Sequence, residues 1–541
     1  MNDCHILPSC GIQYSKYTHG GIFVELVKKK IHMDRIASKA GTQMVLEEDV
    51  NISDNRPDAS HLIAVKGDVI MDEIRVSDDR VSLKGRLQVQ MLYLTEEEGM
   101  CSSMQAELPL EEKINMEGVH NGDTVLPSWV IEDLTVGLIN SRKMSVQAMI
   151  SFELELEEKL EQEAAVDIYH EEPVEYRKQI YPLLQMAVNK KDIFRIKEEM
   201  ELPGNLPNAF QIIWHSITLN NIEFRALDEK IALQGEMKAF FLYEGEGDND
   251  KTLWYENTVP FSGMIECHGC RENMVPDIRY TTSQCSVEVK PDFDGEERVF
   301  CVENVLDLEI RLYEEENLEV LSDIYGVSKE IEAVTTEVSL KGLLLHSSGK
   351  CKVADHARIQ NTEMHIYQLL HNEGEIQIEE QSVEENGISI RGTLHVMTVY
   401  LCTNGQNTLY ATKSSLPFKH FIDVPEIEQS CVYHVHWNIE QLLVTMLDSD
   451  ELDIKAALNF EILVFTSKKA SLVTDIKVEE LDMNKISELP GIVIYIAGTG
   501  DTLWDIGKKY YVPIAQLKEV NELVSEEIKA GDKILVVKGI S

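Results

Sequence analysis

Alternation between apolar and polar residues dominates the chain, and it comes in three copies. "VSLKGRLQVQMLYL" begins at Val81, "IALQGEMKAFFLYE" at Ile231 and "ISIRGTLHVMTVYL" at Ile388. Each carries a glycine followed eight positions later by a tyrosine: Gly85 and Tyr93, Gly235 and Tyr243, Gly392 and Tyr400. A proline followed by an apolar residue recurs after each glycine, at Pro109, Pro260 and Pro417. The copies sit 150 and 157 residues apart, so the chain contains an internal repeat. Further period-two runs begin at Lys143, Glu303 and Glu451, and others precede each glycine, from Thr42, Asp192 and Gly349. Such alternation with acidic turns predicts antiparallel, mostly β domains with one solvated face. Within a repeat, the tyrosine is expected to pack. The glycine is expected to serve a bulge or a close backbone approach. Strand edges left open invite assembly with neighbours.

After the third copy the period changes. "IVIYIAG" (Ile492 to Gly498) is a short β-branched run, and "GTGDTLWDIGKKYYV" follows from Gly498 to Val512. Its glycines permit a tight reversal, and Asp501 or Thr502 caps a helix on which Leu503, Ile506 and Tyr510 recur at helical spacing. Lys508 and Lys509 suit the C-terminal end of that helix. Pro513 stands at the first position of a second helix, with Ile514, Leu517 and Val520 as its apolar face and Asn521 at its end. Gly531 turns the chain into a last strand, Ile534 to Val537. The order is strand, helix, helix, strand.

That order and those residues resemble a LysM domain over Gly491 to Lys538. Gly500, Asp501, Thr502, Leu503, Trp504, Tyr510, Leu517, Asn521, Ile528, Gly531 and Leu535 all fall on its pattern. The resemblance implies a βααβ fold that binds N-acetylglucosamine polymers. Its groove would have Gly500, Asp501, Thr502 and Leu503 on one side and Asn521, Leu523 and Ile528 on the other. Glu522 replaces a usual glycine and Ala530 a usual proline. These departures weigh against sugar and suit a protein ligand. Trp504 either packs beneath the first helix or lies beside the groove as an aromatic anchor for a partner.

Length and charge narrow the classes. A chain of 541 residues divides into several domains. Ninety-four acidic against 50 basic residues give a net charge of -44, which repels nucleic-acid backbones and anionic membrane surfaces. The N-terminal "MNDCHILPSC" lacks the basic flank and apolar core of a secretion signal, and no apolar run is long enough to span a membrane. Ten scattered cysteines do not form a disulfide framework and are expected to be reduced in a cytosol.

Three mostly β repeats followed by one LysM module resemble the spore-coat morphogenesis proteins that carry SPOCS domains, in the arrangement of the clostridial member that partners the stage IV coat-basement ATPase. The expected architecture is multidomain: an N-terminal segment (1–40), sandwich-like antiparallel SPOCS repeats at 41–170, 171–328 and 329–485, and a LysM domain at 490–541. The resemblance implies a non-enzymatic scaffold in the mother-cell cytoplasm. Recruited to the forespore surface, it would couple the ATPase and other spore coat proteins to coat encasement, with no cofactor, no metal, no nucleic acid and no membrane insertion. The alternative is a peptidoglycan or N-acetylglucosamine-oligomer binder at the cortex or cell wall.

Candidate chemistry elsewhere is sparse. "CHGC" (Cys267 to Cys270) has no second CxxC partner, and Cys285 or Cys301 with His268 would have to complete a zinc site. "HVH" (His434 to His436) places two imidazoles on one strand face, a metal pair or, beside Trp437, ordinary packing residues. "GEGDNDKT" lacks the glycine that a phosphate loop needs. Neither a GxSxG elbow nor an HExxH helix occurs, and carboxylate pairs identify nothing in a chain this acidic.

Overall fold

The computed structural model describes residues 12–19, 22–96, 100–170, 173–246, 252–359, 365–402, 408–481 and 491–538. The first repeat comprises β1 (Ile12–His19), β2 (Ile22–Asn51), β3 (Ala59–Ser77), β4 (Arg80–Thr95), β5 (Cys101–Asn115), β6 (Thr124–Asn140) and β7 (Lys143–His170). The second runs through β8 (Val174–Glu201), β9 (Ala209–Leu227), β10 (Lys230–Gly245), β11 (Thr252–Glu266), β12 (Val275–Pro291) and β13 (Glu297–Gly326). The third runs through β14 (Lys329–Arg358), β15 (Ile366–Glu384), β16 (Gly387–Cys402), β17 (Thr408–Asp423), β18 (Val432–Met446) and β19 (Glu451–Glu480). The C-terminal module is β20 (Ile492–Ile496), α1 (Leu503–Tyr510), α2 (Ile514–Val520) and β21 (Lys533–Val537). None of these helices is long and apolar enough to cross a membrane.

Every repeat is built from two antiparallel sheets. In the second, β11-β10-β9 faces β12-β13-β8, and the same order recurs in the other two, with β1 added beside β2 in the first. Apolar residues from both sheets fill one core per repeat. The repeated tyrosines lie inside, with Tyr93 and Tyr243 fully buried. A Cβ on Gly85 or Gly392 would come within 2.3 Å of a neighbouring strand's carbonyl oxygen, so these glycines mark a close backbone approach. The registers shift nearby, between Met71 and Glu73 and between Ile378 and Glu380.

The long strands extend well past the sandwiches as paired ribbons, from Val24↔His170, Val174↔Gly326 and Lys329↔Glu480. The expected boundary at 40/41 falls inside β2. The run "LVKKKIHMDRIASK" from Leu26 breaks period-two patterning, yet Leu26, Ile31 and Met33 along it are buried. The burial comes from the other repeats rather than from a sheet face, and local alternation does not record that.

Corresponding residues of the three repeats meet one another. Met33, Leu183 and Leu340 each stand at the same position of the first long strand and share one cluster. Ile63, Ile213 and Leu370 share another, as do Leu92, Leu242 and Val399. The three repeats therefore surround a pseudo-threefold axis, a trimer-like body made from one chain.

Candidate functional site

The C-terminal module is the part of the chain with a binding pattern, and its framework follows from local chemistry. Gly500, at φ +93°, turns the chain out of β20. Asp501 accepts hydrogen bonds from the Tyr495 hydroxyl (2.7 Å) and the Gly498 N–H (2.8 Å), and the Tyr495 bond above all holds its carboxyl below the usual range. Thr502 caps α1. Its hydroxyl accepts from the Asp505 N–H while the Asp505 carboxylate accepts from the Thr502 N–H, a reciprocal capping box. Pro513 sits one place earlier than expected, at the cap of α2 rather than its first residue. Asn521 donates to the Leu517 and Leu535 carbonyls (2.8 Å each) and accepts from the Leu535 N–H (2.6 Å), tying α2 to β21.

The expected groove residues therefore divide. Leu503 is fully buried, and half-buried Leu523 and Ile528 pack against the same small core. The Asn521 side chain is committed to backbone. The Gly498–Gly500 turn remains exposed, and so does Val524, at 99% exposure beside Leu523. On the sheet's outer face Ile492, Ile494 and Ile496 form an exposed row.

Trp504 is placed differently from an aromatic anchor beside an open groove. It is 5% exposed, covered by the ribbon of the second repeat. Its indole N–H donates to Asp323 Oδ2 (2.7 Å), its ring meets the edge of Tyr325 (centroids 4.8 Å apart), and the Arg177 guanidinium lies 4.7 Å from its centroid. Lys508 donates to the other oxygen of Asp323 (2.6 Å), Tyr325 donates to the Val512 carbonyl (2.9 Å), and Arg177 pairs with Glu526 (3.6 Å). Burial pushes the Asp323 carboxyl up, but hydrogen bonds from Lys508, Trp504 and the Ile324 N–H outweigh it and hold it below its ordinary value. Gly507 permits the contact, since a Cβ there would lie 2.5 Å from the Tyr325 hydroxyl. The module is thus seated on the end of β8 and β13 through its first helix.

The histidine pair and the cysteine pair also find places. His434 Nδ1 and His436 Nε2 both lie 2.8 Å from Asp277, across the seam between the third and second repeats. Arg311 contacts Asp277 (3.5 Å) and Glu157 of the first repeat (2.9 Å), so one buried cluster joins all three. Burial raises the Asp277 carboxyl, and the two histidines, with His434 first, more than reverse this and hold it well below the usual range. Cys267 and Cys270 are buried at the turn where the other repeats carry Met116 and Val119, and Val424 and Ile427. The same backbone bond closes all three turns. The thiols plug the repeat as small apolar groups, and burial pushes Cys267 up to about 12. No cluster of metal-ligating side chains occurs among the described residues.

Sequence reasoning missed the polar contacts on the axis. Lys66, Ser216 and Glu373 occupy the same position, nineteen residues before the repeat glycine, and meet there. Lys66 Nζ lies 2.5 Å from one oxygen of Glu373, and the Ser216 hydroxyl donates to the other (2.7 Å). Farther along, Lys341 reaches Asp34 (2.7 Å), and the Tyr313 hydroxyl donates to the same oxygen (3.1 Å). Only position within the repeat could have singled these residues out.

Residues 58–139, 208–290 and 365–447 match the SipL, SPOCS domain family, and residues 495–537 match the LysM domain family. No curated protein and no solved structure matches the chain. Each SPOCS match covers the small sheet and the following edge strand, β3 to β6 in the first repeat, while the long strands fall almost wholly outside.

Proposed function

The chain belongs with the proteins built from SPOCS repeats and a LysM domain, and from that premise we propose that it is a non-enzymatic scaffold of spore morphogenesis. In this reading it works in the mother-cell cytoplasm, is recruited to the forespore surface, binds the coat-basement ATPase of sporulation and promotes coat encasement with other coat proteins. The observation that carries it is the seating of the LysM module. Trp504, Lys508 and Tyr325 fasten the module to the ribbon end of a trimer-like body, while its loops and outer sheet face stay exposed. Such a build holds a recognition module at a fixed place on a large frame, which suits an adaptor.

Within the module, the partner-facing surface would be the turn through Gly500, Asp501 and Thr502 with the loop bearing Leu523 and Ile528. Leu503, Trp504 and Asn521 would support that surface from behind. The intact chain and its Thr499→Arg and Val524→Glu variants, both changed at exposed positions, should be tested for capture of the purified ATPase. Capture by the wild type and at least a tenfold loss in both variants is the expected outcome. Equal capture by all three would remove the module from the interface.

A second reading, binding of peptidoglycan or N-acetylglucosamine oligomers, is favoured by the exposure of the Gly498–Gly500 turn and the half-buried state of Leu523, the two sides of the expected groove. Calorimetric titration with those oligomers separates the two. Saturable heats lost in Thr499→Arg would support the glycan, and flat heats would leave the protein partner.

A further inference from the structure

A cleft of about 340 Å³ opens between the second and third repeats, away from the LysM module. Its walls come from β9, β10 and β12 on one side and β15 and β18 on the other. Two aromatic residues line it, Tyr280 of β12 at 37% exposure and Trp437 of β18 at 38%. Tyr280 keeps a ring contact with Phe224 (centroids 6.1 Å apart), yet both side chains leave more than a third of their surface open at the concave seam.

The polar groups of the cleft sort by charge. Lys238 is engaged by Glu256 (3.2 Å), Glu440 by Lys350 (2.6 Å) and Glu373 by Lys66 (2.5 Å). Every charged side chain on the walls is therefore already neutralised within the chain. The side chains of Asn220, Asn438 and Gln441 also line the cleft and enter no hydrogen bond among the described residues. Asn372 beside them has a buried Oδ1 with no partner. What remains for a ligand is a pair of partly exposed aromatic side chains flanked by uncharged amide donors and acceptors.

From this we infer that the inter-repeat cleft is a binding site for a neutral carbohydrate, a hexose or N-acetylhexosamine chain. The C–H face of a pyranose is apolar and lies against Trp437 and Tyr280, while its hydroxyl groups exchange hydrogen bonds with Asn220, Asn438 and Gln441. An anionic ligand would meet no free cation here and the field of a chain carrying a charge of -44. A basic peptide would need free carboxylates, and Glu373 and Glu440 are occupied. The volume falls within the range of small-ligand sites, roughly 300–1,000 Å³. The inference is independent of whether the LysM module binds sugar.

The test is calorimetric titration of the intact chain with cellohexaose, maltohexaose and tetra-N-acetylchitotetraose, with tryptophan fluorescence of the wild type and of Trp437→Ala followed in parallel. The expected result is saturable binding of at least one of them. Trp437→Ala and Gln441→Arg should each weaken it tenfold or more. Gln441 is exposed, so Gln441→Arg blocks the cleft without disturbing a core, and unchanged circular dichroism would certify its fold. Absence of binding to all three sugars overturns the inference. Binding that survives both variants overturns it equally, because the sugar then sits elsewhere, the LysM module included. A basic peptide held at the cleft in place of any sugar overturns it as well.

Discussion

Single residues show most sharply where local rules end. Glu522 follows α2 at φ +53°, in the left-handed region where a side chain costs energy and a glycine does not. The carboxylate that marks a departure from the LysM pattern is therefore a strained backbone position. Glu522→Gly should stabilise the module by about 0.5–1 kcal/mol, measured as a higher urea midpoint for loss of its helical signal; a lower midpoint would contradict the strain. The Asp277 cluster carries a second prediction. Its carboxyl titrates well below the ordinary range in the folded chain, so its stabilisation is complete above the unfolded value near 4 and is lost as pH falls further. Asp277→Ala should cost about 3–5 kcal/mol at neutral pH, since it leaves two imidazoles without their shared acceptor and Arg311 with Glu157 alone. It should also flatten the acid limb of the stability profile, and an unchanged acid limb would contradict the assignment. The histidine pair was visible in "HVH", but Asp277 lies far away in sequence, and no pattern along the chain joins them.

Elements were legible where their burial is local. The capping box at Thr502, the alternation of β4, β10 and β16 and the packing of Tyr93 and Tyr243 all follow from neighbours within a few residues or one strand away. The ribbons were not, because Leu26 and Met33 are covered by strands of other repeats. The seat of the LysM module was hidden for the same reason. Trp504 could be read as core or as anchor, and it serves as an anchor turned toward its own chain. Asp323→Ala should release the module, because it strips the indole N–H and the Lys508 ammonium of their common acceptor. The loss is about 1–3 kcal/mol of docking energy. Hydrogen exchange should then quicken in α1 and at the end of β13 while the repeat cores keep their protection. Uniform exchange throughout would show that the contact holds nothing.

At the scale of the whole molecule, three copies of one sequence pattern must find a single order around their axis. Apolar contacts alone do not choose it, since corresponding residues such as Met33, Leu183 and Leu340 are nearly interchangeable. The polar axis positions differ in kind: Lys66, Ser216 and Glu373 at one level, Asp34, Leu184 and Lys341 at another. Attraction between Lys66 and Glu373 and between Asp34 and Lys341 links the first repeat to the third without passing through the second in sequence. That closes the ring. Burial alone would favour the neutral form of Glu373, yet the Lys66 charge, the nearby His371 imidazole (4.0 Å) and hydrogen bonds from Lys66 and Ser216 hold the carboxyl far below its ordinary range. The pair is therefore ionised and directional. Lys66→Glu should face one buried carboxylate with another and cost about 3–5 kcal/mol, as should Glu373→Lys with two ammonium groups. Exchanging both residues restores the attraction at the same site, so the double variant should recover most of what either single change loses. Urea unfolding of the four proteins measures this directly. Additive losses in the double variant would mean that the charges are bystanders and that shape alone orders the repeats.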